Sequence, residues 1–411
     1  MSFVRNLKTV DSLKISGYRV LFFGLLGQWA AMSLQSVAQS LLLYRLTGSA
    51  VILGTMALAN AIPQLVLSLF AGVLADRFIK KYILLITQGI AAFSIIIISV
   101  SLSSGYLSTE NAGSWWVIVA AAVIQSVAMA LMIPARQSFI AELVGKEKLM
   151  NAAAINTIGI SLFQMTLPIA GGFIIDKIDF TGIYYVMSGL CLLTIIFTSF
   201  VPVIQLSTSI RKQNVIANIS DGLKYTWRNP TILYIMVFTL VSMVLTSPQM
   251  TMMAIYADNI LKVGATGMGV LQSVSGISAL VISVVLASLP SKKRGLLVII
   301  SSIISGLALM VFAFSTSMIL SSAIMAITGL ASTTNMLASM TLLQAYTDES
   351  YLGRVMSIQS LGMGLGSFGS FVSGILAERI GVQWTIGSFA MILTFVSILV
   401  LLSLPKMRQL E

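Results

Sequence analysis

Residues 18–44 read YRVLFFGLLGQWAAMSLQSVAQSLLLY, and Arg19 is the only charged residue in this run. A helix of about 20 mainly apolar residues is long enough to cross the hydrocarbon core of a bilayer. Apolar runs of similar length recur along the chain as far as Leu404. The first run therefore predicts a membrane-spanning helix, and the recurrence predicts a polytopic helical membrane protein.

The composition points the same way and excludes several classes of protein. Of the 411 residues, 57% are hydrophobic and 9% charged, whereas soluble domains carry about 25% charged residues. The chain has no histidine, and Cys191 is its single cysteine, which excludes disulfides within the chain and His- or Cys-based zinc sites. The nearest match to a phosphate loop, at Gly145-Lys146-Glu147, lacks the required hydroxyl residue. We therefore expect no cofactor, no ATP-driven step and no enzymatic activity.

The apolar runs predict an all-α membrane protein with twelve transmembrane helices in two six-helix pseudo-repeats. The division places one bundle at 1–203, a cytoplasmic linker at 204–230 and a second bundle at 231–411, with a short surface helix at 219–227. A shift of 203 residues places Gly171 on Gly374 and Leu149 on Leu352. Such internal repeats are typical of transporters whose substrate site lies between the halves. The predicted spans are 18–44, 51–75, 83–104, 114–140, 151–175, 183–203, 231–257, 265–289, 296–314, 319–345, 355–378 and 384–404.

The basic residues indicate the orientation. Most of the 24 Lys and Arg residues fall in the tails and in the loops on the N-terminal side. The opposite side has only Arg45, Lys177, Lys262 and Arg379. Because cytoplasmic loops are enriched in Lys and Arg, we expect both termini to be cytoplasmic and the protein to be a multi-pass protein of the cell membrane. The net charge of +11 is then an orientation signal, and we expect no nucleic-acid partner.

The loop after the second span carries a recognisable motif. Residues 72–81 read GVLADRFIKK, which resembles the G-x-L-a-D-r-x-G-[RK]-[RK] signature of the major facilitator superfamily; Ile79 stands where the family usually has glycine. The resemblance implies a twelve-helix fold that works by alternating access. It also implies a cytoplasmic gate in which Asp76 pairs with Arg136 or with the start of the eleventh helix. The alternative is that this loop is a solvated determinant of topology. The predicted gate residues are Gly72, Asp76, Arg77, Lys80, Lys81, Arg136, Glu142 and Arg354.

Two further stretches resemble one branch of that family. Residues 133–138 (IPARQS) and 353–357 (GRVMS) are similar to segments of the macrolide-efflux and enterobactin-exporter branch. This resemblance implies a protein of the bacterial inner membrane that exports its substrate from the cytoplasm. Pro168, Gly171 and Gly172 partly match the antiporter signature of the fifth span, where proline and glycine can bend the helix. The alternative is that these three residues only pack.

In the family, spans 1, 4, 7 and 10 line a central cavity. The first carries Gln28, Met32, Gln35 and Gln39 on one helical face, and amides facing lipid are costly. The alternatives are amide hydrogen bonds between helices without a ligand and ordinary methionine packing. The other predicted cavity residues are Gln125, Met129, Met243, Gln249, Met253, Asn335, Met336 and Met340.

The predicted function is secondary active export of a hydrophobic or amphiphilic small molecule, such as a drug, a macrolide-like compound or a siderophore. We expect a monomer in the lipid bilayer that uses the proton as its coupling ion. No acidic residue falls near the middle of a span, so the candidates for proton binding are Asp76, Glu142, Asp258 and Glu378 near the span ends. The alternative is an uptake carrier or uniporter of an apolar solute, because one fold supports both directions.

Overall fold

The computed structural model describes residues 8–111, 113–204, 215–288 and 293–410, and within these ranges the secondary structure is helical without a strand. Twelve of its helices are long and apolar enough to cross a membrane, which confirms the predicted fold class. Their bounds lie within seven residues of those expected from hydropathy, and the largest differences are at the end of the second span and the start of the eleventh. They are Ser16–Thr47, Ala50–Ser68, Lys80–Ser103, Trp116–Gly145, Glu147–Ile178, Phe180–Ser199, Pro230–Ile260, Gly264–Ser288, Arg294–Phe314, Met318–Tyr346, Glu349–Ile380 and Val382–Ser403.

The helices are numbered in chain order, and some spans share or divide a helix. They are α1 (Ser16–Thr47), α2 (Ala50–Arg77), α3 (Lys80–Ser103), α4 (Trp116–Ile178), α5 (Phe180–Ser199), α6 (Val215–Arg228), α7 (Pro230–Ile255), α8 (Gly264–Ser288), α9 (Arg294–Phe314), α10 (Met318–Tyr346), α11 (Glu349–Met363), α12 (Leu365–Ile380), α13 (Val382–Ser403) and α14 (Pro405–Arg408). The fourth and fifth spans are the two halves of α4. They meet at Gly145, whose φ of 73° is a conformation that L side chains rarely adopt.

Two other spans depart from a single regular α-helix. The seventh continues from α7 into one π-helical turn, Tyr256–Ile260. The eleventh is divided into α11 and α12 around Gly364. Single π turns are frequent at functional sites, whereas Gly364 keeps helical dihedral angles, with φ −65° and ψ −23°.

The chain forms two compact units. Unit 1 comprises residues 1–46 and 59–212, and unit 2 comprises residues 47–58 and 213–411. The chain therefore passes from unit 2 to unit 1 inside α2, after Leu58. The first turns of α2 belong to the unit that is otherwise built from the second half of the chain.

The core of unit 1 forms where α1 packs against both halves of α4. Tyr18, fully buried, donates a hydrogen bond from its hydroxyl to the carbonyl oxygen of Ala152 at 3.0 Å. Trp29 covers Gly159, where a Cβ would lie 2.8 Å from the indole ring. In lipid, helix association depends on van der Waals packing and small residues more than on a hydrophobic driving force. A glycine beneath a tryptophan supplies that close packing.

The core of unit 2 forms among α7, α9, α10 and α13. Its buried members include Ile235, Val298 and Leu342. Helix α9 approaches α13 closely at Gly306, where a Cβ would lie 3.0 Å from the carbonyl oxygen of Ala390. Small residues again set the distance between helices.

Candidate functional site

A cavity in unit 1 opens between α1, α3, the first half of α4 and α5. It encloses about 360 Å³ of space, its open mouth included. None of the described side chains that line it is charged, and four of them are glutamines. We call it the amide cavity. Its lining residues are Gln28, Ala31, Met32, Gln35, Gln88, Ala91, Ile95, Gln125, Met129, Cys191 and Thr194.

Two of these glutamines satisfy each other. Gln35 Nε2 donates to Gln125 Oε1 at 2.6 Å, and Gln125 Nε2 donates to Gln35 Oε1 at 2.8 Å. Gln35 Nε2 also donates to Gln39 Oε1 at 3.1 Å. The reciprocal pair joins α1 to α4, and such bonds between membrane helices contribute about 0.6 kcal/mol on average. Five of the six predicted cavity residues on spans 1 and 4 line the amide cavity, and Gln39 is not part of its lining. The five are Gln28, Met32, Gln35, Gln125 and Met129.

Two other glutamines of the same cavity are not satisfied. Gln28 Nε2 donates to the thioether of Met132 at 2.8 Å, a weak acceptor, and Gln28 Oε1 has no partner among the described residues. Gln88 is 3% exposed, and neither its Nε2 nor its Oε1 has a described partner. A buried polar atom without a partner costs about 1–3 kcal/mol. These amide atoms are therefore positioned to bind something other than the protein.

Gln88 and Cys191 were missed by the sequence analysis because it considered only spans 1, 4, 7 and 10. Gln88 lies on α3 and Cys191 on α5. The available signal was Gln88 itself, an amide in the middle of the apolar run ILLITQGIAAF at 83–93. A polar residue at that depth is expensive unless it faces the interior of the protein.

The predicted cavity residues of unit 2 are engaged differently. Gln249 Nε2 donates to the Met325 thioether at 3.2 Å. Asn335 Nδ2 donates to Ser302 Oγ at 2.7 Å and to a carbonyl of α9, so this amide joins two helices. Met253 is buried, Met243 is half-buried, and Met336 and Met340 are exposed. Their role in a substrate cavity stays a prediction.

An ion pair between a buried lysine and a more exposed glutamate lies at the basic end of unit 1, where α3 begins. Lys80 Nζ is 2.6 Å from Glu142 Oε1, and the side chains are 9% and 28% exposed. Neighbouring Lys81 donates from Nζ to the carbonyl oxygen of Ser199 at 2.7 Å, at the end of α5. Two predicted gate residues, Lys80 and Glu142, are thus brought together. The side chains of residues 72–76 are not described by the structure, so the expected pairing of Asp76 lies outside the described residues. Arg77 is exposed, and Arg136 is half-buried.

Arg354, also a predicted gate residue, contacts the linker helix within unit 2. Its guanidinium lies 5.1 Å from the centroid of the Tyr351 ring and 3.9 Å from Asp221 of α6. Tyr225 of α6 stacks on Tyr351 at 4.2 Å between centroids and donates to Asp348 Oδ2 at 2.9 Å. Partial burial raises the pKa of Tyr225, and the Asp348 carboxylate adds to the rise. The structure thus has a helix, α6 (Val215–Arg228), that includes the short helix expected at 219–227, and these contacts hold it on the start of α11.

The opposite end of unit 2 contains an acidic contact between α12 and the start of α2. The Glu378 carboxylate accepts hydrogen bonds from the Ser49 hydroxyl and, at 3.2 Å, from the Val51 amide. A negative charge at a helix N-terminus is stabilising by about 0.3–1 kcal/mol. At Gly374 a Cβ would lie 2.6 Å from the Ala50 carbonyl oxygen, so the two backbones approach as closely as glycine allows.

The antiporter-like stretch packs inside unit 1. Pro168, Gly171 and Gly172 are buried in the second half of α4. A Cβ on Gly171 would lie 3.1 Å from Leu34 Cδ2, which shows how closely this stretch approaches α1. The contacts show a packing role, and the antiport role stays a prediction.

The match to known proteins fits this architecture. The model of the Major Facilitator Superfamily matches residues 21–368 and 297–410, so the chain belongs to that family. A relative, the uncharacterized MFS-type transporter YfiS of Bacillus subtilis (strain 168), is 24% identical over 194 residues. That match spans 46% of this chain and 44% of YfiS, less than half of either protein.

Solved structures of transporters share the fold across nearly the whole chain. The nucleoside transporter NupG superposes with a TM-score of 0.72 at 15% identity, covering 94% of this chain and 99% of NupG. A POT peptide transporter gives 0.74 at 14% identity, with 95% of each chain covered. A D-xylose–proton symporter gives 0.70 at 14% identity, covering 98% and 99%. The chain is therefore a member of this superfamily with twelve helices able to span a membrane, and it has the fold of these solved transporters.

Proposed function

We propose that this transporter exports neutral hydrophobic or amphiphilic small molecules by alternating access, as a proton-coupled antiporter. The observation that carries the proposal is the amide cavity. Its described lining offers amides, thioethers and apolar side chains without a charge. A bare cation or anion gains nothing there to offset its desolvation, whereas a neutral molecule with a few polar groups does. Drugs, macrolide-like compounds and siderophores that are neutral when bound fit this description.

The methionines support a broad specificity. Met32 of α1 and Met129 of α4 both line the amide cavity. Methionine is unbranched and polarizable, so it adapts to ligands of different shape. A rigid wall of leucine or valine would select one shape more strictly.

The contacts at the two ends of the helices supply candidates for the gates. Under the positive-inside rule the end that carries Lys80 and Glu142 is cytoplasmic, as are both termini. The end that carries Glu378 is then external. In alternating access each end must close and open in turn, and the hydrogen bonds of Glu378 to Ser49 and Val51 hold the start of α2 on α12. We propose that their release accompanies opening of the outer end.

Proton coupling rests on the same acidic residues. No described carboxylate lines the amide cavity, so the candidates lie at the helix ends: Glu142 paired with Lys80, Glu378 bonded to Ser49, and Asp76 and Asp258 from the sequence. Protonation of Glu142 would remove the negative charge beside the buried Lys80 ammonium. The proton would then change which end is closed.

The test uses purified protein in liposomes with an imposed pH gradient and the efflux of a hydrophobic fluorescent dye. We expect transport driven by the gradient in wild type, and a loss of at least fivefold in Glu142→Gln and Asp76→Asn. Glu110→Gln is the matched control, because Glu110 is exposed in the loop between α3 and α4. Gradient-driven transport that is unchanged in both variants would contradict the coupling assignment.

The second candidate is a uniporter or uptake carrier of an apolar solute on the same fold. The observation that favours it is the amide cavity itself, whose described lining contains no carboxylate or other charged side chain. In the same assay, dye movement in both directions that ignores the pH gradient would select this function. We also propose that the protein lies in a bacterial inner membrane and is a monomer. Chemical cross-linking in membranes tests the monomeric state.

A further inference from the structure

Gln88 is the least satisfied polar side chain of the amide cavity. It lies in the middle of α3, is 3% exposed, and has both amide atoms without a partner among the described residues. Because the oxygen and the nitrogen are both unpartnered, turning the amide by 180° would not satisfy either. Buried side-chain amides are normally hydrogen-bonded, so an exception of this kind calls for a ligand or a water.

A second unpartnered acceptor belongs to the same cavity. Gln28 Oε1 lacks a described partner, while its nitrogen donates to the Met132 thioether. Thr194, which also lines the cavity, uses its hydroxyl hydrogen on the Leu190 carbonyl at 2.9 Å. The unused hydrogen-bonding groups of the cavity are therefore mainly one donor, Gln88 Nε2, and two acceptors, Gln88 Oε1 and Gln28 Oε1.

The neighbouring glutamine pair shows which group fits such a site. Gln35 and Gln125 exchange two hydrogen bonds, each amide presenting a donor and an acceptor side by side. An incoming carboxamide would satisfy Gln88 in the same reciprocal way. A carboxylate has acceptors only, an ammonium has donors only, and the cavity's described lining has no opposite charge for either.

We propose that Gln88 is the recognition residue of a subsite in unit 1 for a neutral group that carries a donor and an acceptor side by side. Carboxamides, lactams and ureas belong to this class. The apolar remainder of the ligand lies against Met32 and Met129. This inference rests on the proposed function and deepens it, since it names the chemical group by which the cavity recognises its substrate.

Cys191 provides a reporter inside the cavity. It is the single cysteine of the chain and lines the same space as Gln88. The protein in liposomes is treated with N-ethylmaleimide, and the rate of modification is followed by intact mass spectrometry, with Cys191→Ser as the blank. Benzamide is the probe; acetophenone, of similar shape but without a donor, is its control.

We expect benzamide to slow the labelling of wild type at least threefold at a concentration where acetophenone has little effect. In Gln88→Leu the two compounds should act alike. The matched control is Gln359→Leu in unit 2, which removes a half-buried amide whose Oε1 is unpartnered among the described residues and should behave as wild type. A second readout, the thermal midpoint, should rise with benzamide in wild type and not in Gln88→Leu.

A purely structural role for Gln88 predicts a different pattern. If the amide stabilised the fold, Gln88→Leu would lower the thermal midpoint of the ligand-free protein. Benzamide and acetophenone would then have equal effects on the labelling of Cys191. The proposal expects an unchanged or raised midpoint, because an unpartnered amide is replaced by an apolar group of similar length. Equal effects of benzamide and acetophenone on wild type, in both labelling and midpoint, overturn the subsite.

The outcome is separable from that of the proposed function. Dye efflux without protection of Cys191 by benzamide would support the exporter and contradict the subsite. Protection by benzamide that depends on Gln88 would support the subsite. If the same protein moved no dye in any gradient, the proposed export of hydrophobic dyes would be contradicted.

Discussion

The ion pair between Lys80 and Glu142 gives the sharpest energetic prediction. Lys80 Nζ and Glu142 Oε1 are 2.6 Å apart, with the lysine 9% and the glutamate 28% exposed. The perturbation is a double-mutant cycle of Lys80→Met, Glu142→Gln and the double variant. Lys81→Met is the matched control, since Lys81 donates to a backbone carbonyl and not to the glutamate.

The magnitude follows from distance and burial. At an effective dielectric of about 20 the Coulomb energy at this distance is about 6 kcal/mol, which is an upper bound. Breaking a fully buried pair costs about 3–5 kcal/mol, and an exposed pair contributes about 0.2–1 kcal/mol. Because water reaches Glu142 and screens it, we expect a coupling energy of about 1–3 kcal/mol. Glu142→Gln should cost more than the double variant, since it leaves the buried Lys80 ammonium without its partner.

The assay is unfolding in mixed micelles by titration with sodium dodecyl sulfate, followed by circular dichroism. Independent sites add within about 0.3–0.5 kcal/mol, so a coupling energy of 1 kcal/mol is measurable. A coupling below about 0.5 kcal/mol for Lys80 with Glu142, or an equal coupling for Lys81, would refute the assignment of a specific, partly buried pair.

Three further predictions concern other contacts. Gly374→Ala should reduce dye transport at least tenfold at equal expression, because its Cβ would meet a backbone oxygen of α2; Gly189→Ala, with open space at its Cβ, should transport normally. Gln125→Leu should lower the unfolding free energy by about 0.5–1.5 kcal/mol in the same titration, since it breaks both bonds of the reciprocal amide pair. Tyr225→Phe should expose the linker helix to trypsin faster than wild type. Because the Tyr225 pKa is raised above its ordinary 10.0, its contribution is complete below pH 10 and is lost as pH rises above it, so protection from trypsin should stay constant from pH 6 to 9.

The fold could be predicted because each span is long and apolar enough to be recognised alone. The bounds were less certain where a helix continues beyond its apolar run, as in α1, which extends to Thr47, and the first half of α4, which extends to Gly145. The break between α11 and α12 was not predicted, because several glycines there offered no single position for it.

The site could be predicted only in part, because periodicity identifies a face but not a partner. The face of α1 with Gln28 and Gln35 was found from its spacing, and both residues line the amide cavity. The reciprocal bond of Gln35 with Gln125 joins residues 90 positions apart, and no local pattern indicates it. Gln88 was overlooked because the resemblance to a family assigned the cavity to other helices.

The acidic residues of this transporter lie at helix ends and not in the amide cavity, and this position limits how a proton could be coupled to transport. Glu142 lies beside Lys80 at one end of unit 1, and Glu378 holds the start of α2 within unit 2. A proton on either carboxylate weakens a contact at a helix end, whereas the amide cavity has no described group that it could charge. Under the proposed function, protons therefore control which end opens, and amides control what binds. Gln88→Leu should accordingly change the preference among substrates while leaving the dependence on the pH gradient, and Glu142→Gln should do the reverse.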